Sequence, residues 1–149
     1  MGRQPRCTLP EVGAFHVINR GVDRQAIFRD DRDREFFLGL MGRARTKFEW
    51  ILPAYVLMGN HFHFVMLGDL DRLSDGMHYR SFRYAMEFNE RHARTGHLFQ
   101  GRFISIPIEG DDHLDTVCTY VLNNPVRAGL CERFEDYEWF GGDWFDDLR

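Results

Sequence analysis

Apolar and polar positions alternate with period two through Ala14-Phe15-His16-Val17-Ile18-Asn19, which predicts a first strand. From Asp30 to Lys47 the period changes, and Phe36, Phe37, Leu40, Met41 and Ala44 recur at helical spacing. The acids of that segment stand early and its bases late, as a helix dipole prefers. Trp50 to Met58 and His61 to Leu67 predict two more strands, joined by a hairpin turn at Gly59-Asn60. Leu73 to His92 predicts a second helix, broken by Arg94-Thr95-Gly96. Phe103 to Ile108 predicts a fourth strand, with Pro107 marking an edge or an end. Asp112 to Asn124 predicts a third helix, closed by Pro125. Residues 131–149 form an acidic, aromatic tail of expected irregular path, anchored by Trp139, Trp144 and Phe145.

The order β-α-β-β-α-β-α predicts an α+β fold. Its first six elements spell the ferredoxin-like βαββαβ arrangement, a four-stranded antiparallel sheet with two helices on one face. The additional C-terminal helix is then left to cover the open face. A length of 149 residues predicts a single domain over 1–149. No apolar run approaches the roughly 20 residues of a membrane span, so no membrane association is expected. The opening residues carry two arginines and no following apolar run, which predicts no secretory leader. Cys7, Cys118 and Cys131 are odd in number and widely spaced, which fits the cytoplasm rather than a disulfide framework.

Charge changes the picture only through its distribution. The net charge of −4 is unpromising for a nucleic-acid partner. Seven acids against two arginines in 131–149 account for it, however, and residues 78–102 hold five arginines against two glutamates. Only Lys47 among the 19 basic residues is lysine. Arginine forks match phosphate bidentately and stack on bases, although a GC-rich genome explains the same bias.

Candidate chemistry begins at His61-Phe62-His63. Alternation along a strand turns both imidazoles to one face and Phe62, Phe64 and Met66 to the other. Two imidazoles about 7 Å apart at the backbone can share a metal ion. Taken alone, such a pair reads more often as two histidines on a half-exposed sheet face. Tyr120 and Asn124, four apart, share a helical face. If that helix crosses the histidine face, Asn124 supplies an oxygen ligand and Tyr120 a nucleophile beside a Lewis acid. Taken alone, this pair too reads as a buried tyrosine and a helix-terminal asparagine.

Four ordered stretches go further. They are Asn19-Arg20-Gly21, the run from Met58 to Val65 around His61-Phe62-His63, the run from Arg94 to Phe103, and the run from Tyr120 to Leu130. Together they resemble tyrosine-1 transposases of the smallest insertion sequences, which carry the HUH motif, and are similar above all to the relatives associated with repetitive extragenic palindromes. The resemblance runs from about Phe15 to Tyr137. It implies a DNA transposase that cleaves and rejoins single-stranded hairpin DNA through a 5′-phosphotyrosine. It implies Tyr120 as the catalytic nucleophile and His61, His63 and Asn124 as ligands of magnesium or manganese. Asn124 stands where some relatives carry Gln. Tyr79 and Tyr84 are rival nucleophiles outside the matching motif.

The expected DNA contacts are Arg80, Arg83, Arg94, His97, Gln100, Arg102 and Arg127. Arg91 is a further phosphate contact, and Tyr84 and Phe99 can stack on bases. Phe82 and Phe88 read rather as core. Family members act as monomers or as dimers that swap the tyrosine helix, so a homodimer stays open. Phe134, Trp139 and Phe140 are expected to hold the tail on the body while its carboxylates stay exposed and repel DNA. Two other functions compete: a non-catalytic or domesticated ferredoxin-like nucleic-acid binder, and a metal-dependent nuclease in which water attacks.

Overall fold

The computed structural model describes residues 12–148; Cys7 lies outside them. The strands are β1 (Val12–Arg20), β2 (Ile51–Leu57), β3 (His61–Asp69) and β4 (Ile104–Ile108). The long helices are α1 (Asp31–Phe48) and α2 (Leu70–Arg91). After β4 come α3 (Asp111–Leu122), the single-turn α4 (Asn124–Arg127) and a two-residue strand β5 (Phe140–Gly141). The sheet is antiparallel in the order β4-β1-β3-β2-β5. Its first four strands have the expected ferredoxin-like order.

Alternation gives the sheet two different faces. Phe15, Val17, Phe62, Phe64 and Met66 join one core with residues of α1 and α2, such as Phe37, Met41, Leu73 and Phe88. Ala54, Val56 and Val65, on the opposite face, pack with Cys118, Val121 and Leu122 of α3. The additional helix therefore covers the open face. Pro107 sits in β4, an edge strand paired only with β1, where the missing N–H does least harm.

Local sequence explains most boundaries. Asp30 caps α1 by accepting from the Asp33 N–H at 2.9 Å. Asp69 accepts from the N–H groups of Asp71 and Arg72, so α2 begins at Leu70, three residues before the expected start. The two helices are locked where the end of α2 meets the start of α1. Asp33, only 2% exposed, faces both Arg91 and His92, and Arg91 also pairs with Asp30 at 3.0 Å.

The tail departs from the expected irregular path. Phe140 and Gly141 pair with Val56 and Tyr55, and the Leu57 N–H donates to the Trp139 carbonyl at 2.9 Å. The Tyr137 hydroxyl donates to the Leu57 carbonyl at 2.6 Å. A strand of two residues is too short to show a period, and its pairing follows from the donors and acceptors that β2 leaves free. Phe134, Phe140 and Phe145 interlock edge to face and pack on the α3 side, while Trp139 packs on the other core. Trp144 is 44% exposed and is not an anchor. Glu132, Glu135, Asp136 and Glu138 are exposed as expected. Asp143 is not free, since it pairs with Arg45 and accepts the Leu52 N–H at 2.7 Å.

Candidate active site

Register in the sheet builds the site. His61 and His63 lie on β3, with Arg20 and Ile18 of β1 directly opposite. Paired residues share a face, so Arg20 and, two pairs further along, His16 join the histidines. The imidazole centroids of His61 and His63 are 5.1 Å apart. Those of His16 and His63 are also 5.1 Å apart, with His16 Nε2 at 2.9 Å from His63 Nδ1. His16 and His63 are 7% and 6% exposed.

The third helix delivers the other two groups. Pro125 has no N–H to bond the Val121 carbonyl, so α3 stops at Leu122 and Asn124 opens α4 instead of closing the third helix. The Asn124 amide nevertheless reaches both rings. Its Nδ2 donates to His63 Nε2 at 2.8 Å, and its Oδ1 stands 3.5 Å from His61 Nε2. The Tyr120 ring meets His16 and His63 edge-on, with centroids 6.1 and 6.3 Å away. Half of Tyr120 is open to solvent. The Arg127 guanidinium lies 3.9 Å above the Tyr120 ring and donates to the Tyr120 carbonyl at 2.9 Å. Gly129, at φ +77°, terminates this turn, with the Leu130 N–H returned to the Pro125 carbonyl.

Hydrogen bonding fixes where the ring protons sit. Asn60 donates through Nδ2 to the Arg24 carbonyl, so its Oδ1, 2.6 Å from His61 Nδ1, accepts. His61 therefore carries its proton on Nδ1 and presents a lone pair at Nε2. His63 accepts from Asn124 at Nε2, so its lone pair points the same way. Burial favours the neutral form of all three imidazoles. It lowers His63 to about 3, helped by His16, His61, Arg127 and Arg20, and lowers His16 to about 4. Burial also lowers His61, against the opposing Asn124 contact and with Arg20 in support. Two imidazoles and an amide oxygen are donors of the kind a divalent cation takes, and the Asn124 N–H occupies one lone pair such a cation would use.

Among the described residues, a second cluster has cation-binding spacing. Ligand atoms of Asp30, Asp33 and His92 lie within 4.8 Å of one another. Arg91 stands against both carboxylates there, and its guanidinium fills the role a metal would have.

The expected DNA residues divide. His97, Gln100 and Arg102 are exposed on a loop fastened beside the site. The Val22 N–H donates to the Leu98 carbonyl, the Gln100 N–H to the Arg20 carbonyl, and Asn19 Nδ2 to the Gly101 carbonyl. Arg83 is exposed on α2. Arg94 is half-buried and holds the loop by bonding Asn89 Oδ1 and the His97 carbonyl. Arg80 is only 8% exposed, folded over the Tyr79 ring, and Arg91 is taken up by the two aspartates; neither is displayed for phosphate. Phe82 is 60% exposed rather than core, whereas Phe88 is buried as expected. Tyr84 is buried with its hydroxyl on the Ile27 carbonyl, and burial raises its pKa, so it is no rival nucleophile and stacks on no base. Tyr79 is exposed, but on α2, the layer opposite the histidines.

His16, Arg20 and Asn60 join the site although the sequence marked none of them for it. The period-two run from Ala14 already puts His16 on the face opposite Phe15 and Val17, but its pairing with His63 requires the strand register.

Comparison with known proteins bears on the family and the fold. The family model described as IS200-like transposase matches residues 12–124. A solved structure of a REP-associated tyrosine transposase, bound to a REP hairpin, shares the fold at a TM-score of 0.70. The two are 17% identical, and the alignment covers 94% of this chain and 82% of that one. No curated protein sequence matches the chain. The family match takes in β1, both histidines, Tyr120 and Asn124, and the protein belongs to the IS200-like transposase family.

Proposed function

We propose that the protein cleaves and rejoins single-stranded DNA bearing a hairpin, with Tyr120 as nucleophile and His61, His63 and Asn124 holding magnesium or manganese. The observation that carries this reading is the position of Tyr120. It is half-exposed, edge-on to His63, and His63 shares the Asn124 amide with His61. The ion would polarise the scissile phosphate and offset developing charge. Magnesium favours oxygen ligands, and two imidazoles suit manganese better.

The chemistry is an exchange of phosphodiesters. The phenol gives up its proton, and its oxygen forms a bond to phosphorus as the bond to the 3′ oxygen breaks. The 5′ phosphate stays on Tyr120, and the departing 3′ oxygen takes up a proton as a hydroxyl. One ester replaces another of nearly the same class, so attack by a second 3′ hydroxyl reverses the step without ATP. His16 and His63 wall one side of the phenol, and Arg127 covers its ring. Arg20 and Arg127 flank the histidines and give the phosphate a cationic approach. His97, Gln100 and Arg102 face the hairpin from the adjacent loop, and Arg83 gives a further phosphate contact. The hairpin bound by the structural relative supports this choice of substrate. One chain brings Tyr120 to its own histidines, which supports a site that needs no helix from a second copy. A cytoplasmic site of action is part of this reading.

The test is incubation with an end-labelled hairpin oligonucleotide and manganese, resolved under denaturing conditions. The wild type is expected to give a nick and a denaturation-resistant adduct. Tyr120→Phe keeps the ring and should lose both while retaining hairpin binding. Nicking without an adduct would make water the attacking group and the protein a nuclease. Binding without metal or cleavage would make it a non-catalytic binder. An adduct surviving in Tyr120→Phe would move the nucleophile to Tyr79.

A further inference from the structure

Beyond its ligands, the site contains a buried histidine that the cleavage reaction itself does not use. His16 leaves 7% of its surface exposed, and its Nε2 lies 2.9 Å from His63 Nδ1. Two neutral imidazoles in such contact need one N–H and one lone pair between them. Asn124 settles which is which. Its Nδ2 donates to His63 Nε2, so the His63 proton is on Nδ1 and His16 Nε2 is the acceptor.

We propose that His16 is a positioning residue, accepting the His63 Nδ1–H and so holding the His63 ring with its Nε2 lone pair turned toward Asn124. The inference rests on the reading of His63 as a metal ligand. A ring nitrogen can ligate only when deprotonated, and the partner of the other nitrogen decides which one is free. Asn60 does the same for His61 through its Oδ1. The two ligands thus have different supports: an amide from the hairpin turn for His61 and a second imidazole from β1 for His63. The His16 and His63 rings are inclined by only 26°, as an edge-to-edge hydrogen bond permits, and His16 also walls the edge of Tyr120, so one side chain orients a ligand and bounds the nucleophile's space.

The test has two readouts, one independent of metal. In the metal-free protein, long-range nitrogen–proton NMR correlations should show His63 in the Nδ1–H tautomer. His16→Leu should shift His63 toward the Nε2–H form and weaken manganese binding, followed by the free-ion spin-resonance signal, by roughly 10-fold or more. His16→Gln sets an amide oxygen near the lost Nε2 position and should restore both readouts. If His16→Leu does not fold, His16→Asn, whose oxygen falls short of His63, takes its place. An Nε2–H tautomer in the wild type, or an unchanged tautomer and manganese affinity without the acceptor, would overturn the role of His16. A wild type that binds no manganese would overturn the metal reading instead, and the tautomers alone would then decide the role of His16.

Discussion

Arg127 has one contact in the structure and one proposed duty toward DNA, and salt dependence reports on the second alone. Its guanidinium covers the Tyr120 ring and bonds the Tyr120 carbonyl, yet the residue stays exposed and so available to phosphate. Arg127→Ala is expected to weaken hairpin binding at low salt and to lower the slope of log affinity against log salt by about 1. Titrations at several salt concentrations measure this, and an unchanged slope would leave Arg127 with the ring-covering role alone. The residues of this site differ in how legible they were. His61 and His63 share a face through strand alternation alone, and Tyr120 and Asn124 through helical spacing. His16 is 47 positions from His63, and only the register of β1 against β3 brings them together. Burial of Arg80 was equally invisible, because an arginine in a helix gives no local sign of folding over its neighbour's ring.

At the scale of elements, the boundary of α2 and its fit against Trp50 and the end of α1 depend on small groups. The expected start of α2 at Leu73 falls three residues late, because the Asp69 carboxylate caps the helix and lets it begin at Leu70. Within the helix, Gly76 is where Trp50 enters: a Cβ there would lie 2.6 Å from the indole and 2.8 Å from the Phe48 ring. Gly76→Val is therefore expected to destabilise the protein by about 1–3 kcal/mol, the usual range for overpacking. Thermal unfolding checks this, and an unchanged midpoint would mean that Trp50 is free to move. The four main strands and the three helices α1, α2 and α3 were readable because each shows a sustained period. β5 was not, because two residues carry none.

For the whole molecule, the acidic tail is part of the fold rather than an appendage. It runs along β2 and contributes to both cores, with three phenylalanines on the α3 side and Trp139 on the other. A chain ending at Leu130 would lose the Trp139 carbonyl that accepts from Leu57 and the ion pair between Asp143 and Arg45. It would also expose the strand groups that β5 covers. The truncated protein should melt at a lower temperature and scatter light on standing. A truncation as stable and monodisperse as the full chain would show that the tail is dispensable.

The loop from Leu98 to Gly101 has a further consequence at this scale. Backbone bonds tie it to the end of β1, and Leu98, 1% exposed, plugs it into the core. A loop held so firmly has little conformational freedom left to lose when a ligand arrives. His97, Gln100 and Arg102 then stand in place before any hairpin does. In the proposed encounter the entropic burden of ordering falls on the flexible single strand, and the protein acts as a pre-organised template against which that strand is fitted.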